Sequence, residues 1–165
     1  MDGRPRDAKA LLDFYKQVGA ETDFLDFGSE GLGINQEQET RYLKSLETSD
    51  NNRLLIARLG DEIIGVASIG AESKEKVKHV GEVGICILQR FWGFGLAQVL
   101  LDDLFDWAKE ESPLTLIRLE VAADNIRAIK LYEKYDFERL GKLPKAIKLG
   151  HDYADTLIMF KSLED

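Results

Sequence analysis

Residues 83–110 constrain the fold more than any other part of this chain. An apolar run typical of a buried β-strand ends at Leu88, and from Leu96 onwards apolar residues recur at helical spacing. Only seven residues separate the two runs, and Gly93 and Gly95 are among them. A strand that passes so quickly into an amphipathic helix packs that helix against its own sheet. The segment therefore predicts a protein that mixes helices and strands around one core.

The other periodic segments extend this pattern along the chain. The Gly60-Asp61 pair between two strand-like runs indicates a β-hairpin, and a strand–helix–strand–helix–strand succession follows it. We expect an α/β arrangement of two or three layers on a mixed sheet. Helices are predicted over residues 6–18, 35–48, 95–111 and 125–135, and strands over 53–70 (the hairpin), 79–88, 114–121, from 137 and over 153–160.

Composition and charge exclude several classes of protein. The 165 residues suffice for one domain with a substantial core, and no apolar run approaches the roughly 20 residues that cross a bilayer. The single cysteine excludes an internal disulfide and suits a reducing compartment, so we expect a cytoplasmic location. A net charge of −8 disfavours nucleic-acid and membrane partners and favours a cationic ligand, although net charge also serves solubility alone.

The turn that holds Gly93 and Gly95 has the composition of an anion site. Where a strand passes through glycines into a helix, backbone N–H groups converge and the helix dipole adds partial positive charge. Arg90 places a cation just before this turn. The third glycine of a dinucleotide-binding G-x-G-x-x-G motif is absent, as is the lysine of a P-loop, so neither of those nucleotide sites is expected.

Two segments together resemble the GNAT superfamily of N-acetyltransferases. The first, R-F-W-G-F-G at residues 90–95, matches that family's acetyl-coenzyme-A loop, Q/R-x-x-G-x-G/A. The second, N-I-R-A-I-K-L-Y-E-K-Y-D-F at residues 125–137, is similar to its later N-x-x-A-x-x-L-Y-x-x-x-G-F segment, with Asp136 in place of the glycine. The strands before both segments fit the family's two central strands, so the resemblance covers about residues 50–160.

The resemblance implies a fold, a co-substrate and a set of binding residues. The fold is a mixed, mostly antiparallel sheet flanked by helices in a single domain of residues 1–165, with a first strand that is short or missing. The co-substrate is acetyl-CoA, whose pantetheine arm pairs with the strand and whose thioester oxygen faces a backbone N–H near Leu88. Dimers are common in the family, so a homodimer is expected. The residues expected to bind acetyl-CoA are Ile87, Leu88, Arg90, Phe91, Trp92, Gly93, Phe94, Gly95, Leu96, Ala97, Asn125 and Tyr132.

Acetyl transfer from a thioester to an amine needs a base for the amine proton and an acid for the departing thiolate. The resemblance places the Tyr132 phenol near the sulfur and so predicts it as the acid; the alternative is an aromatic residue of the core. For the base we favour Glu82, which alternates in direction with its apolar neighbours, over Glu120 on the neighbouring strand. Either carboxylate could instead lie on a solvated strand face.

The predicted function is transfer of an acetyl group from acetyl-CoA to a primary amine of a small molecule or a peptide N-terminus. The rival is a module that binds acyl-CoA without turnover, although the presence of Tyr132 and Glu82 argues for catalysis. The acidic loop after the first helix favours a cationic acceptor. Cys86 is expected in the core, and His79 and His151 lack the spacing of metal ligands, so no metal site is predicted.

Three further positions have two interpretations each, and a fourth, Tyr153, has one. Arg127 and Lys130 could meet the phosphates, but a solvated helix face is favoured. Trp92 either covers the co-substrate or packs on the domain, and Tyr153 in the closing segment could face the acceptor.

Overall fold

The computed structural model describes residues 1–164 and confirms the mixture of helices and strands. Among these residues no helix is both long and apolar enough to cross a lipid bilayer. The helices are α1 (Ala8–Glu21), α2 (Gln36–Leu46), α3 (Leu96–Glu110) and α4 (Ile126–Lys134), and the strands are β1 (Arg53–Leu59), β2 (Glu62–Ala71), β3 (Val80–Ile87), β4 (Leu116–Ala122), β5 (Glu138–Leu149) and β6 (Asp152–Ser162).

These strands form a single mixed sheet in the order β1-β2-β3-β4-β6-β5, and only the pairing of β3 with β4 is parallel. Helices α3 and α4 cover one face, where Leu101, Leu104 and Met159 are completely buried. Helices α1 and α2 cover the other face, around Leu11 and Leu43. The arrangement is therefore a three-layer α/β fold with helices on both sides of the sheet.

The start of α2 and the turn of the hairpin both have local structures that residue spacing favours, and the hairpin confirms its prediction. The Asn35 side chain accepts a hydrogen bond from the Gln38 N–H (2.8 Å), and the Gln38 side chain accepts one from the Asn35 N–H (2.9 Å), which starts α2 with a capping box. In the β1–β2 hairpin Leu59 pairs with Glu62, and Gly60 takes a φ of +62° in the two-residue turn.

The first strand is reduced to three residues. Asp2 forms an isolated antiparallel bridge with Leu55, the Ile56 N–H donates to the Met1 carbonyl (2.8 Å), and the Gly3 N–H donates to the Leu54 carbonyl (2.9 Å). A 3-10 turn begins at Pro5, which fixes the backbone angle φ and ends the extended segment. The first strand is thus short, as the sequence predicted.

The sheet opens between its two parallel strands. β3 and β4 pair through three rungs, of which Glu82 with Arg118 is the last. Both strands then continue, to Ile87 and to Ala122, without pairing with one another. A cleft therefore begins just beyond the rung of Glu82 and Arg118.

One carboxylate in the layer of α1 and α2 belongs to a largely buried residue and has no partner. Glu39 on α2 is only 2% exposed, and within residues 1–164 its carboxylate accepts no hydrogen bond and forms no ion pair. Loss of hydration raises the pKa of this carboxyl group above its usual range. A carboxylate that has lost much of its hydration and has no cation beside it lowers the stability of the native state at neutral pH.

We expect Glu39→Gln to raise the free energy of unfolding at pH 7 by about 1 kcal/mol, because a neutral amide replaces a desolvated charge. The gain should shrink as the pH falls. The raised pKa means that the folded chain holds this proton more tightly than the unfolded chain, so the wild type recovers its stability below the unfolded pKa of about 4.3. Urea unfolding at pH 7 and pH 4 measures the difference. The exposed Glu37 on the same helix is the control, and a gain in Glu37→Gln, or one in Glu39→Gln that does not depend on pH, contradicts the explanation.

Candidate active site

A cavity of about 550 Å³ joins the glycine turn, one edge of β3, α4 and the end of α1. Its walls are mostly apolar. The residues predicted to bind acetyl-CoA that line it are Ile87, Phe91, Trp92, Gly93, Gly95, Leu96, Ala97 and Asn125. Motifs that are distant in the sequence therefore meet at one site.

The glycine turn presents backbone N–H groups to this cavity. Gly93 and Gly95 have φ angles of +85° and +78°, a left-handed conformation that residues with a Cβ seldom adopt. Gly95 is the N-cap of α3, and its carbonyl accepts the N–H of Val99 at 3.2 Å. The N–H groups of residues 96–98 have no partner within the helix and point out of its end, and all three residues line the cavity. The helix dipole adds partial positive charge, so this wall can bind an anion.

The open edge of β3 supplies further backbone groups, and the N–H that the sequence analysis expected near Leu88 can be located on it. The Leu88 N–H donates to the Ile64 carbonyl of β2 (3.0 Å), and the Leu88 side chain is completely buried. Hydrogen-bonded pairs alternate along an antiparallel ladder, so Ile85 and Ile87 direct their backbone groups to the other edge. The Trp92 indole N–H reaches the Ile87 carbonyl on that edge (2.8 Å). The N–H near the strand end that faces the cavity therefore belongs to Ile87, and Leu88 is turned away.

Cations of α4 stand at the mouth of the cavity. Arg127, Lys130 and Lys134 lie on one helical face, and all three line it. The Arg127 guanidinium lies over the Trp92 ring, 5.2 Å from its centre, and a Cβ built on Gly93 would come within 3.9 Å of it. Arg127 and Lys130 are both exposed, as the favoured solvated helix face implies, and they also line the cavity, so a contact with the phosphates stays open to them. The sequence signal for this row of cations was the spacing of Arg127, Lys130 and Lys134, which are three and four residues apart.

Three predicted residues occupy different environments around the turn. Arg90 forms an ion pair with Glu62 of β2, and its guanidinium lies 5.0 Å from the centre of the Phe91 ring. Phe94 is 79% exposed. Asn125 lines the cavity and also caps α4, because its side chain accepts an N–H from the first turn (3.2 Å). Arg90 is thus directed to Glu62 of β2, and not to the anion-binding turn as the sequence predicted.

Tyr132 lies behind the cavity wall. It is 4% exposed and packs edge-on against Phe137, with ring centres 5.6 Å apart. Burial raises the pKa of its phenol, and the electrostatic influence of Cys86, which lines the cavity, raises it further. Burial, followed by the charge of Asp26, also raises the pKa of the Cys86 thiol to about 12. At neutral pH both groups therefore keep their protons.

The two candidate bases lie on the open face of the sheet, outside the cavity lining. Glu82 is exposed at the start of the cleft, in the last rung of the β3–β4 pairing. Glu120 lies one pleat further along β4 and accepts a hydrogen bond from the Thr156 hydroxyl (2.9 Å). Tyr153 is 53% exposed, and the Lys145 ammonium lies 5.9 Å from the centre of its ring.

The loop between α1 and α2 presents apolar side chains to the cavity. Val18 of α1 and Phe24 and Leu25 of the loop line it, while Asp23 is exposed. The acid content of this loop favours a cationic acceptor, but the Phe24 and Leu25 side chains that it presents to the cavity are apolar. The signal for the apolar wall was the alternation of apolar and acidic residues within the loop.

Known proteins share this sequence pattern and this fold. The family described as acetyltransferase (GNAT) family matches residues 19–137. The L-amino acid N-acetyltransferase AaaT of Escherichia coli K12 is 30% identical over 105 residues. The match spans 64% of this chain and 65% of that protein, which is less than two thirds of either. A crystal structure of an acetyltransferase of the GNAT family from Streptococcus pneumoniae superposes with a TM-score of 0.94 at 30% identity, over 98% of this chain and 97% of that one. A phosphinothricin acetyltransferase from Sinorhizobium meliloti, solved in complex with AcCoA, has a TM-score of 0.83 at 15% identity, over 98% and 86% of the two chains, and so shares the fold. Because the family match spans most of the sequence and includes both motifs, the chain belongs to the GNAT family of acetyltransferases.

Proposed function

We propose that this protein transfers the acetyl group of acetyl-CoA to a primary amine by direct attack of the amine on the thioester. The observation that carries the proposal is one cavity in which the N-terminus of α3, the cations of α4 and the open edge of β3 converge. The first two features suit a diphosphate, and the third suits an amide-containing arm. Family membership and the names of the relatives support an acetyl transfer to nitrogen.

The chain's own groups fit the two halves of acetyl-CoA. The N–H groups of residues 96–98 and the guanidinium of Arg127 would hold the diphosphate, with Lys130 and Lys134 adding charge at the mouth. The backbone of Ile85 and Ile87 would bind the pantetheine amides along the free edge of β3 and donate to the thioester oxygen. Acetyl-CoA supplies the acetyl group in activated form.

The proton transfers are assigned to Tyr132 and Glu82. Tyr132 is proposed as the acid, because its phenol is protonated at neutral pH and so has a proton to give to the departing thiolate. Glu82 is exposed at the start of the cleft and can take the amine proton, either directly or through a water molecule. The Cys86 thiol, whose pKa is about 12, is a poor nucleophile at neutral pH, which favours direct transfer over an acyl-cysteine.

Calorimetry with acetyl-CoA, combined with thiol release across a panel of primary amines, tests this proposal. Binding together with amine-dependent release, and a mass increase of one acetyl group in the amine, is the expected result. Binding of acetyl-CoA without release for any amine contradicts the enzyme and favours the module that binds acyl-CoA without turnover.

We expect Glu82→Gln to lower kcat/KM about tenfold at pH 7 and to remove the carboxylate-dependent acidic limb from the pH–rate profile. The amide can still accept a hydrogen bond but cannot take the amine proton. Glu120→Gln is the matched control, because Glu120 lies on the same face and is already bonded to Thr156. If the acidic limb persists in Glu82→Gln and disappears in Glu120→Gln, then Glu120 is the base.

The cytoplasmic location and the homodimer stay predictions that accompany this proposal, as does the choice between a small-molecule acceptor and a peptide N-terminus. Sedimentation equilibrium at micromolar concentration measures the oligomeric state directly.

A further inference from the structure

Part of the sheet face that carries α1 and α2 is left open. On that face the apolar cluster takes its strand residues from β1, from β2 and from the end of β3 around Cys86 and Leu88. Glu82, Arg118 and Glu120 are all exposed. The middle of the sheet, beside the cleft, is therefore accessible from this side.

Arg118 stands at the start of the cleft on this open face. Its neighbours on β4, Ile117 and Leu119, are completely buried against α3 and α4, so the Arg118 side chain projects to the opposite face. Arg118 pairs with Glu82 in the last rung of the parallel ladder and with Phe160 across β6. A cation, a carboxylate and an aromatic ring therefore lie side by side where the cleft opens.

The guanidinium of Arg118 is unpaired within residues 1–164. It forms no hydrogen bond and no ion pair there, not even with Glu82, its neighbour across the ladder. Glu120, two residues further on, accepts its hydrogen bond from Thr156 of β6. Arg53, Arg58, Arg90 and Arg139 have carboxylate partners, whereas Arg4, Arg6, Arg41 and Arg127, like Arg118, form no ion pair within the described residues. Arg118 thus keeps its planar set of donors free for a ligand.

The position of Arg118 suits the acceptor rather than acetyl-CoA. In the proposed function the pantetheine arm follows β3 from Ile87 to Ile85, and at a rise of about 3.3 Å per residue the rung of Glu82 lies about 10 Å beyond Ile85. An arginine side chain and a small acceptor together span that distance. An amine directed at the thioester would then have its other end near Arg118.

We infer that Arg118 binds a carboxylate of the acceptor, so that the substrate is a small amine with a carboxylate near its amino group, as in an α-amino acid. Arginine binds a carboxylate with two parallel charge-assisted hydrogen bonds, a geometry that also fixes the direction of the amine. The net charge of −8 repels anions at long range. The free guanidinium of Arg118 at the start of the cleft can overcome that repulsion locally and attract a carboxylate. The inference rests on the proposed acetyl transfer and narrows its acceptor class against polyamines and peptide N-termini.

The test compares acceptors that differ only in their carboxylate. Rates of thiol release are measured for L-leucine and L-leucinamide, for L-phenylalanine and L-phenylalaninamide, and for spermidine and a short peptide amide. We expect Arg118→Gln to lower kcat/KM about tenfold for the free amino acids, mainly through KM, and to leave the amides almost unchanged. The ratio of variant to wild type for each acceptor cancels the different basicity of the amines.

Two further variants control for folding and for charge alone. Arg139→Gln removes an exposed arginine of β5 that pairs with Glu133 (3.2 Å), and it should leave every acceptor unaffected. Arg118→Lys keeps the charge but loses the planar fork, and it should restore the amino acids only in part. Calorimetry should give the same affinity for acetyl-CoA in all three variants, because neither Arg118 nor Arg139 lines the cavity.

The outcomes separate the inference from the function on which it rests. Equal loss for amino acids and amides in Arg118→Gln, or turnover confined to amides, spermidine or the peptide, overturns the role of Arg118 and leaves acetyl transfer intact. Absence of turnover with every amine overturns the proposed function itself, and the inference with it.

Discussion

Replacement of Tyr132 by phenylalanine is expected to lower kcat about 100-fold while the dissociation constant of acetyl-CoA stays nearly constant. The Tyr132 hydroxyl is kept protonated by burial and interacts electrostatically with Cys86 on the cavity wall. Phenylalanine fills the same space against Phe137, so the variant removes the proton donor and little of the packing. Steady-state kinetics and calorimetry with acetyl-CoA measure the two effects.

Tyr135→Phe is the matched control for this prediction. Tyr135 follows the same helix, and its hydroxyl donates to the Asp102 carboxylate (2.7 Å), with the Gln98 carbonyl 3.2 Å away as a second acceptor. Its loss should lower the free energy of unfolding by about 1 kcal/mol without changing kcat. In the wild type the raised pKa of Tyr132 should leave kcat free of a basic limb from this phenol below about pH 10. An unchanged kcat in Tyr132→Phe would assign Tyr132 to the core, the alternative that its sequence position already allowed.

Features set by neighbouring residues were predictable from the sequence. The capping box of Asn35 and Gln38 depends on three residues of spacing, and the hairpin turn at Gly60 depends on the small number of turns that suit two strands. The positive φ angles of Gly93 and Gly95 follow the same logic, because a chain that must leave a strand and start a helix within a few residues needs glycine. Local rules therefore place the anion-binding turn.

Features set by register were not predictable. Whether the N–H of Ile87 or that of Leu88 faces the cavity depends on how β3 pairs with β2, and a shift of one residue would exchange them. The opening of the sheet beyond Glu82, and with it the exposure of Arg118, depends on where the pairing of β3 with β4 ends. A single sequence contains the alternation of each strand but not the rung at which two strands separate.

Replacement of Gly95 by alanine is expected to weaken acetyl-CoA binding about 30-fold, or by about 2 kcal/mol. A Cβ on Gly95 would meet no atom within 4 Å, so steric collision within the free protein is not the cause. At a φ of +78°, however, an L-residue is less stable by about 1–2 kcal/mol, and the backbone relaxes away from this conformation. The relaxation turns the N–H groups of residues 96–98 from the diphosphate, and each weakened hydrogen bond to that anion lowers the affinity further.

Gly60→Ala separates this effect from backbone strain. Gly60 also has a positive φ, +62°, and a Cβ there would likewise meet no atom within 4 Å, but Gly60 lies in the hairpin turn and outside the cavity lining. Both variants should lose a similar free energy of unfolding, about 1 kcal/mol, and only Gly95→Ala should lose affinity for acetyl-CoA. Calorimetry and urea unfolding on the same samples give both quantities. Equal affinity in the two variants would mean that charged side chains, rather than the backbone at the start of α3, hold the diphosphate.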